Sequence, residues 1–198
     1  MGASGPRGAR LKRWLCIALL CGLGSLRADP ATTLGGLYGE DLEGKPFTME
    51  ARAAGKTVVV VFGFSKASNK ACQAFEDAFW RDFGGDTRVA IATVAQLQGV
   101  PGFILPLIKG GMRKNAPAER YPWKWILRRD RTLWQEAVGY EGSKAPDEAY
   151  VSILEPKLHE LTFRKHANYS PEAYAELKES LGLILDPPPP VTKKKKRK

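Results

Sequence analysis

The sequence predicts an α/β domain in which a central mixed sheet carries helices on both faces. Three observations predict it. "KTVVVVFGF", starting at Lys56, is apolar without alternation, the pattern of a strand covered on both sides. A helical pattern and a second strand, "RVAIATVA", follow, and strand, helix, strand in that order makes a right-handed parallel crossover. "AYVSILEPKLHELTFRK", starting at Ala149, alternates on either side of a turn at Pro156-Lys157, which predicts an antiparallel pair.

The elements follow in chain order. "LYGEDLEGKPFTME" has a Glu-Gly turn between Leu42 and Phe47 and reads as a hairpin leading into the first long strand. In "SNKACQAFEDAFWRDFGG", Ala71, Phe75, Ala78 and Phe79 recur at helical spacing, Ser68 or Asn69 can cap the start, and Gly84-Gly85 stop the helix. The stretch about 99–122 reads as an insertion: Ile104, Leu107, Ile108 and Met112 suggest a short amphipathic helix, with a loop from Asn115 to Pro122. "WILRRDRTLWQEAVGY" predicts a short strand and a helix ending at Gly139. "YSPEAYAELKESLGL" has Ser170 as N-cap, Pro171 at the first helical position and Gly182 past the end.

The two ends differ in composition from this middle. Residues 1–28 hold Arg7, Arg10, Lys12 and Arg13, then an apolar run from Trp14 to Leu26 with no acidic residue, the layout of a secretory signal peptide. The run is short of the roughly 20 residues that span a bilayer. Export is therefore the expectation, secreted or periplasmic, with a mitochondrial transit peptide as the alternative and cleavage or retention of the leader left open. Residues 186–198 form a Pro-rich spacer with a basic tail, Lys193, Lys194, Lys195, Lys196, Arg197 and Lys198, expected either to stay solvated or to meet an acidic surface.

The formal charge is +10, with 31 basic and 21 acidic residues. Eleven of the basic residues lie in the leader or the terminal run, so the stretch between them sums to −1. No nucleic-acid partner is expected of it, because a binding domain would carry its positive charge on the folded part. Cys16 and Cys21 belong to the leader, which leaves Cys72 as the one thiol of a mature chain and allows no internal disulfide. With only His159 and His166 and no clustered carboxylates, no metal site and no cofactor are expected.

The element order and three segments resemble the thioredoxin-fold superfamily in its peroxiredoxin-like and TlpA-like branch, over about residues 34–183. The segments are "DLEGKPFTMEARAAGKTVVVVFGFS", "RRDRTLWQEAVGYEGS" and "YVSILEPKLHELTFRKHANYSPEAYAELKESL". Within that branch the chain is similar to the small periplasmic YtfJ-type proteins, which also lack the Cys-x-x-Cys motif. The resemblance implies a thioredoxin-like fold, and it implies where a redox site would lie. Setting "FGFS" on the family's Phe-Trp-Ala-Ser puts the two cysteine positions at Ala67 and Lys70, so dithiol exchange is not expected. Against the peroxiredoxin pattern, Phe64 stands for the Pro, Ser68 for the Thr and Ala71 for the cysteine, so Cys72 falls one residue late, about 100° around the helix. The family's cis-proline maps to Ala149, and Pro146, three residues earlier, is the candidate to fill that role.

Two sites remain open on these grounds. Cys72 is either a buried inert thiol, a one-cysteine nucleophile or an intermolecular disulfide partner. Trp123, Trp125 and Trp134 are either packed in the core or exposed as a binding patch for another envelope protein. The expected function is an exported binding or structural module of the cell envelope without dithiol chemistry. The alternatives are a thiol peroxidase or reductase using Cys72 and an assembly factor for an envelope protein.

Overall fold

The computed structural model describes residues 38–142, 144–156 and 160–186. The leader with Cys16 and Cys21, the basic tail and His159 lie outside the described residues. The chain opens with an antiparallel hairpin, β1 (Tyr38–Asp41) and β2 (Pro46–Thr48), closed by Gly44 at φ +87°. A short helix that the sequence pattern did not announce, α1 (Met49–Ala53), buries Met49 and Ala53 and leads through a turn into β3 (Thr57–Gly63). Then come α2 (Asn69–Phe83), β4 (Val89–Gln96), α3 (Leu105–Lys114), β5 (Lys124–Leu127), α4 (Arg131–Val138), β6 (Ala149–Glu155), β7 (Glu160–Ala167) and α5 (Pro171–Leu185). The expected loop between α3 and β5 is instead largely a 3-10 turn, Ala118–Trp123.

The strands form one sheet in the order β2-β1-β5-β4-β3-β6-β7. β5, β4 and β3 are parallel to one another, while β1 and β6 pair antiparallel with β5 and β3. The unbroken valine run of β3 now has a cause. Period-2 alternation sends Val58, Val60 and Phe62 to one face, with Trp125, Trp134, Ala137 and Tyr150, and sends Val59 and Val61 to the other, with Phe75, Phe79, Tyr174 and Leu177. Helices α1 and α4 cover the first face, α2 and α5 the second. Each fully buried Val, Leu or Phe contributes about 1.5–3 kcal/mol, so the two faces together hold the sheet. The parallel strands deliver their carboxyl ends, and the loops that follow β3, β4 and β5, to one end of the molecule.

Candidate functional site

At that end a cleft of about 570 Å³ opens between the N-terminal turns of α2 and one side of α3. Open α/β sheets place ligand crevices at the carboxyl ends of their strands, so position alone makes it the candidate site. Its floor is Cys72, Thr93, Val94 and Lys124; Lys66, Asn69 and Gln73 line the α2 wall, and Ile108, Gly111 and Met112 the α3 wall.

The turn between β3 and α2 is held by its own serines. Ser68 Oγ donates to Ser65 O at 2.8 Å, and Ser65 Oγ accepts from Ser68 N at 3.1 Å and donates to Asp147 at 2.7 Å. Ser68 is helical in φ and ψ and does not cap α2 with its side chain, so its hydroxyl fastens the preceding turn instead. Ala67 lies in this turn and Lys70 in the first turn of α2, both exposed. No sulfur stands at either position.

Cys72 is 2% exposed and packs among Val61, Phe75 and Ala149 in the core. Burial pushes its thiol up from 9.0 to about 12, and neighbouring Glu76 adds to the rise although Lys124 opposes it. A thiol in that state is protonated at neutral pH and is a poor nucleophile. Gly63 faces it: a Cβ there would stand 2.7 Å from Ser68 Oγ and 3.1 Å from Cys72 Sγ, so only glycine fits without a shift.

One turn along α2 from Cys72 lies Glu76, 2% exposed, which the sequence reading missed. Its carboxylate accepts from Thr93 Oγ1 at 2.8 Å and from Lys124 Nζ, with Arg120 3.8 Å from its other oxygen. A buried charge survives only when paired, and this one is paired from β4 and β5 at once. Its signal in the sequence was a single acid at the i+4 position from Cys72, on a helix face otherwise apolar.

Two expectations are corrected. The tryptophans are no exposed patch: Trp125 and Trp134 are 0% and 1% exposed, with their rings tilted against Phe47 and Phe62, and Trp123 is half-buried against Trp125. They pack on the sheet face that α1 and α4 cover, where their large apolar area is taken out of water. Pro146 is not a cis-proline, since every peptide bond among the described residues is trans; it is exposed in the loop before β6. His166, on β7, places Nδ1 2.6 Å from Glu148 Oε2 at the surface. Among the described residues no group of three His, Cys, Asp or Glu is arranged to hold a metal ion.

No protein-family model matches the chain, and no curated protein matches it. Solved structures do. A proposed electron transport protein of Aquifex aeolicus VF5 is similar at 17% identity over 77% of this chain and 96% of its own, with a TM-score of 0.57. A proposed thiol-disulfide oxidoreductase of Bacteroides vulgatus aligns at 12% identity over 75% of this chain and 86% of its own, TM-score 0.52. BsSco, a member of the Sco family of cytochrome c oxidase assembly proteins, aligns at 9% identity over 77% and 95%, TM-score 0.52. Likeness at such identities is one of fold, and together with the mixed sheet and its two helical layers it shows that this chain has the thioredoxin-like fold.

Proposed function

We propose that the chain is an exported binding module of the cell envelope, of the YtfJ-type branch, that uses the cleft between α2 and α3 without dithiol chemistry. One observation carries this reading. Where a dithiol would stand are Ala67 and Lys70, and the one thiol among the described residues, on Cys72, is buried and held protonated. What the fold retains is the crevice itself, with an apolar α3 wall, a polar α2 wall and the paired Lys124 at its floor. That combination suits a ligand or peptide segment with an apolar body and a few polar groups.

The test is an insulin-reduction assay on the chain, in parallel with maleimide labelling of Cys72 at neutral pH. No turnover, and labelling only as fast as the chain opens, is the expected pair of results. Turnover that survives Cys72→Ser would overturn the loss of dithiol function.

A second reading, a one-cysteine peroxidase or reductase, has one observation in its favour: Cys72 contributes to the cleft floor, and Lys124 pulls its pKa down. Fast labelling of the folded chain would favour it over the binding module. The third reading, an assembly factor that binds another envelope protein through the insertion and the tryptophans, keeps the insertion as a contact surface and loses the tryptophans, which are packed in.

A further inference from the structure

The end of the sheet that holds the cleft also carries most of the large apolar side chains that are exposed among the described residues. Phe103 is 83% exposed and Leu107 78%, at the start of α3, and Tyr38 is 57% exposed where β1 begins. The strand register brings these to one place. β4 and β5 are parallel with Gln96 opposite Leu127, so the segment after β4 and the loop after β5 leave the sheet side by side. Gln96 Nε2 donates to Arg129 O and Gln98 Oε1 accepts from Arg131 N, which fastens the two. Tyr38 lines a surface recess with Arg128 and Arg129.

The loop after β5 is "RRDR". Arg128, Arg129 and Arg131 are exposed, and among the described residues none of them pairs with a carboxylate. Lys66 and Lys70, exposed after β3, extend the positive region. The acids near it are Asp130 between the arginines and Glu40, which is bound to Lys109 at 2.9 Å. Asp147 and Glu148 lie across β3, at the β6 side, where they meet Ser65 and His166. The β4–β5 half of this end is therefore both basic and apolar.

We propose that this half docks on an anionic bilayer surface, with Phe103 and Leu107 inserting among the lipids and Arg128, Arg129 and Arg131 meeting the phosphates. Charge complementarity argues for an anionic occupant, and the shape of the apolar part argues for lipid. Phe103 and Leu107 offer two exposed apolar side chains, short of the broad patch that a stable protein interface needs, whereas a bilayer accepts a few apolar points set among basic residues. Leu107 lies in the first turn of α3 and Phe103 just before it; Lys109 is tied to Glu40 and Arg113 donates to Leu42 O at 2.9 Å, which sets the polar side of the helix toward the hairpin while its first turn faces out. In this pose the cleft opens beside the headgroups.

The test is flotation of the full chain with vesicles of phosphatidylcholine plus phosphatidylglycerol, and with phosphatidylcholine alone. Two variants are compared with the wild type: Phe103→Ser with Leu107→Ser, and Arg128→Gln with Arg129→Gln and Arg131→Gln. All five positions are exposed, and an unchanged circular dichroism spectrum checks that each variant is folded. Expected is a preference for the anionic vesicles that weakens about tenfold or more in each variant. Because the leader and the basic tail are the same in all three chains, equal partitioning of wild type and both variants would overturn the proposal. So would a lack of preference for anionic lipid. Sedimentation showing a wild-type dimer that the serine variant abolishes, with lipid binding unchanged, would assign the surface to a second copy and overturn it as well.

Discussion

The two walls of the cleft are held by different physics. α2 buries Ala71, Cys72, Phe75, Glu76, Ala78 and Phe79 against the sheet, a close-packed face in which every added atom is felt. α3 buries Leu105 alone and is held by Lys109 to Glu40, by Arg113 to Leu42 O, and by Tyr121 donating to Arg113 O at 3.0 Å. The α2 wall, where a redox protein of this fold would keep its thiols, is therefore rigid and chemically quiet, and the α3 wall is the one free to adjust to what enters. Local opening follows the same division, since segments with few buried apolar contacts open first.

Four outcomes would sharpen or break that contrast. The largest effect is expected from Lys124→Met, which leaves the Glu76 carboxylate buried with weaker partners and should cost about 3 kcal/mol of stability. Chemical denaturation measures it, and Lys124→Met combined with Glu76→Gln should recover most of the loss. A single-variant cost near zero would mean that the floor of the cleft is wet and α2 less rigid than its packing implies.

Gly63→Ala should cost about 2 kcal/mol, because overpacking a tight contact forces a shift. Adding Ser68→Ala should relieve more of it than adding Cys72→Ala, since the Ser68 hydroxyl is the closer of the two. The reverse order would contradict the geometry of the turn.

On the other wall, Lys109→Ala with Arg113→Ala should cost only about 1 kcal/mol in global stability, because a partly exposed ion pair and a hydrogen bond to a backbone carbonyl each contribute little net. It should instead speed protease cleavage between residues 97 and 116 while leaving α2 intact. Global destabilisation as large as that of Lys124→Met would erase the distinction between the walls.

The smallest effect near neutral pH belongs to Cys72. Well below pH 9 its thiol is protonated in folded and unfolded chain alike and adds no pH dependence. As pH rises from 9.0 toward about 12, the unfolded chain sheds a proton that the folded chain keeps, so stability falls. The difference between wild type and Cys72→Ala, followed by urea denaturation across that window, should grow in favour of the variant as pH rises.

Much of the architecture was legible in the sequence because period and punctuation carry it. The valine run, the two alternating stretches after Ala149 and the Ser170-Pro171 cap each match a built element, and Ser170 Oγ does accept from Ala173 N at 3.1 Å. Local chemistry left three places short of the answer. Ser68 is a possible cap by identity and instead fastens a turn, the tryptophans were open between core and patch and are packed in, and Ile104 to Met112 suggest an amphipathic helix but do not tell that Leu105 is buried and Leu107 left out. Helical spacing says which side chains share a face and is silent about what that face meets.

From the order of residues alone came the fold class, the strand and helix sequence, and the lack of a cysteine at Ala67 and Lys70, because these depend on local pattern and identity. Only the tertiary structure decided that Cys72 is buried behind Gly63, that Glu76 is paired with Lys124 and hydrogen-bonded by Thr93 from two different strands, and that Tyr38 shares a surface recess with Arg128 and Arg129 at one end of the sheet. Each is a meeting of groups far apart in the chain. Burial and electrostatics act through space, and sequence spacing does not encode distances across a sheet.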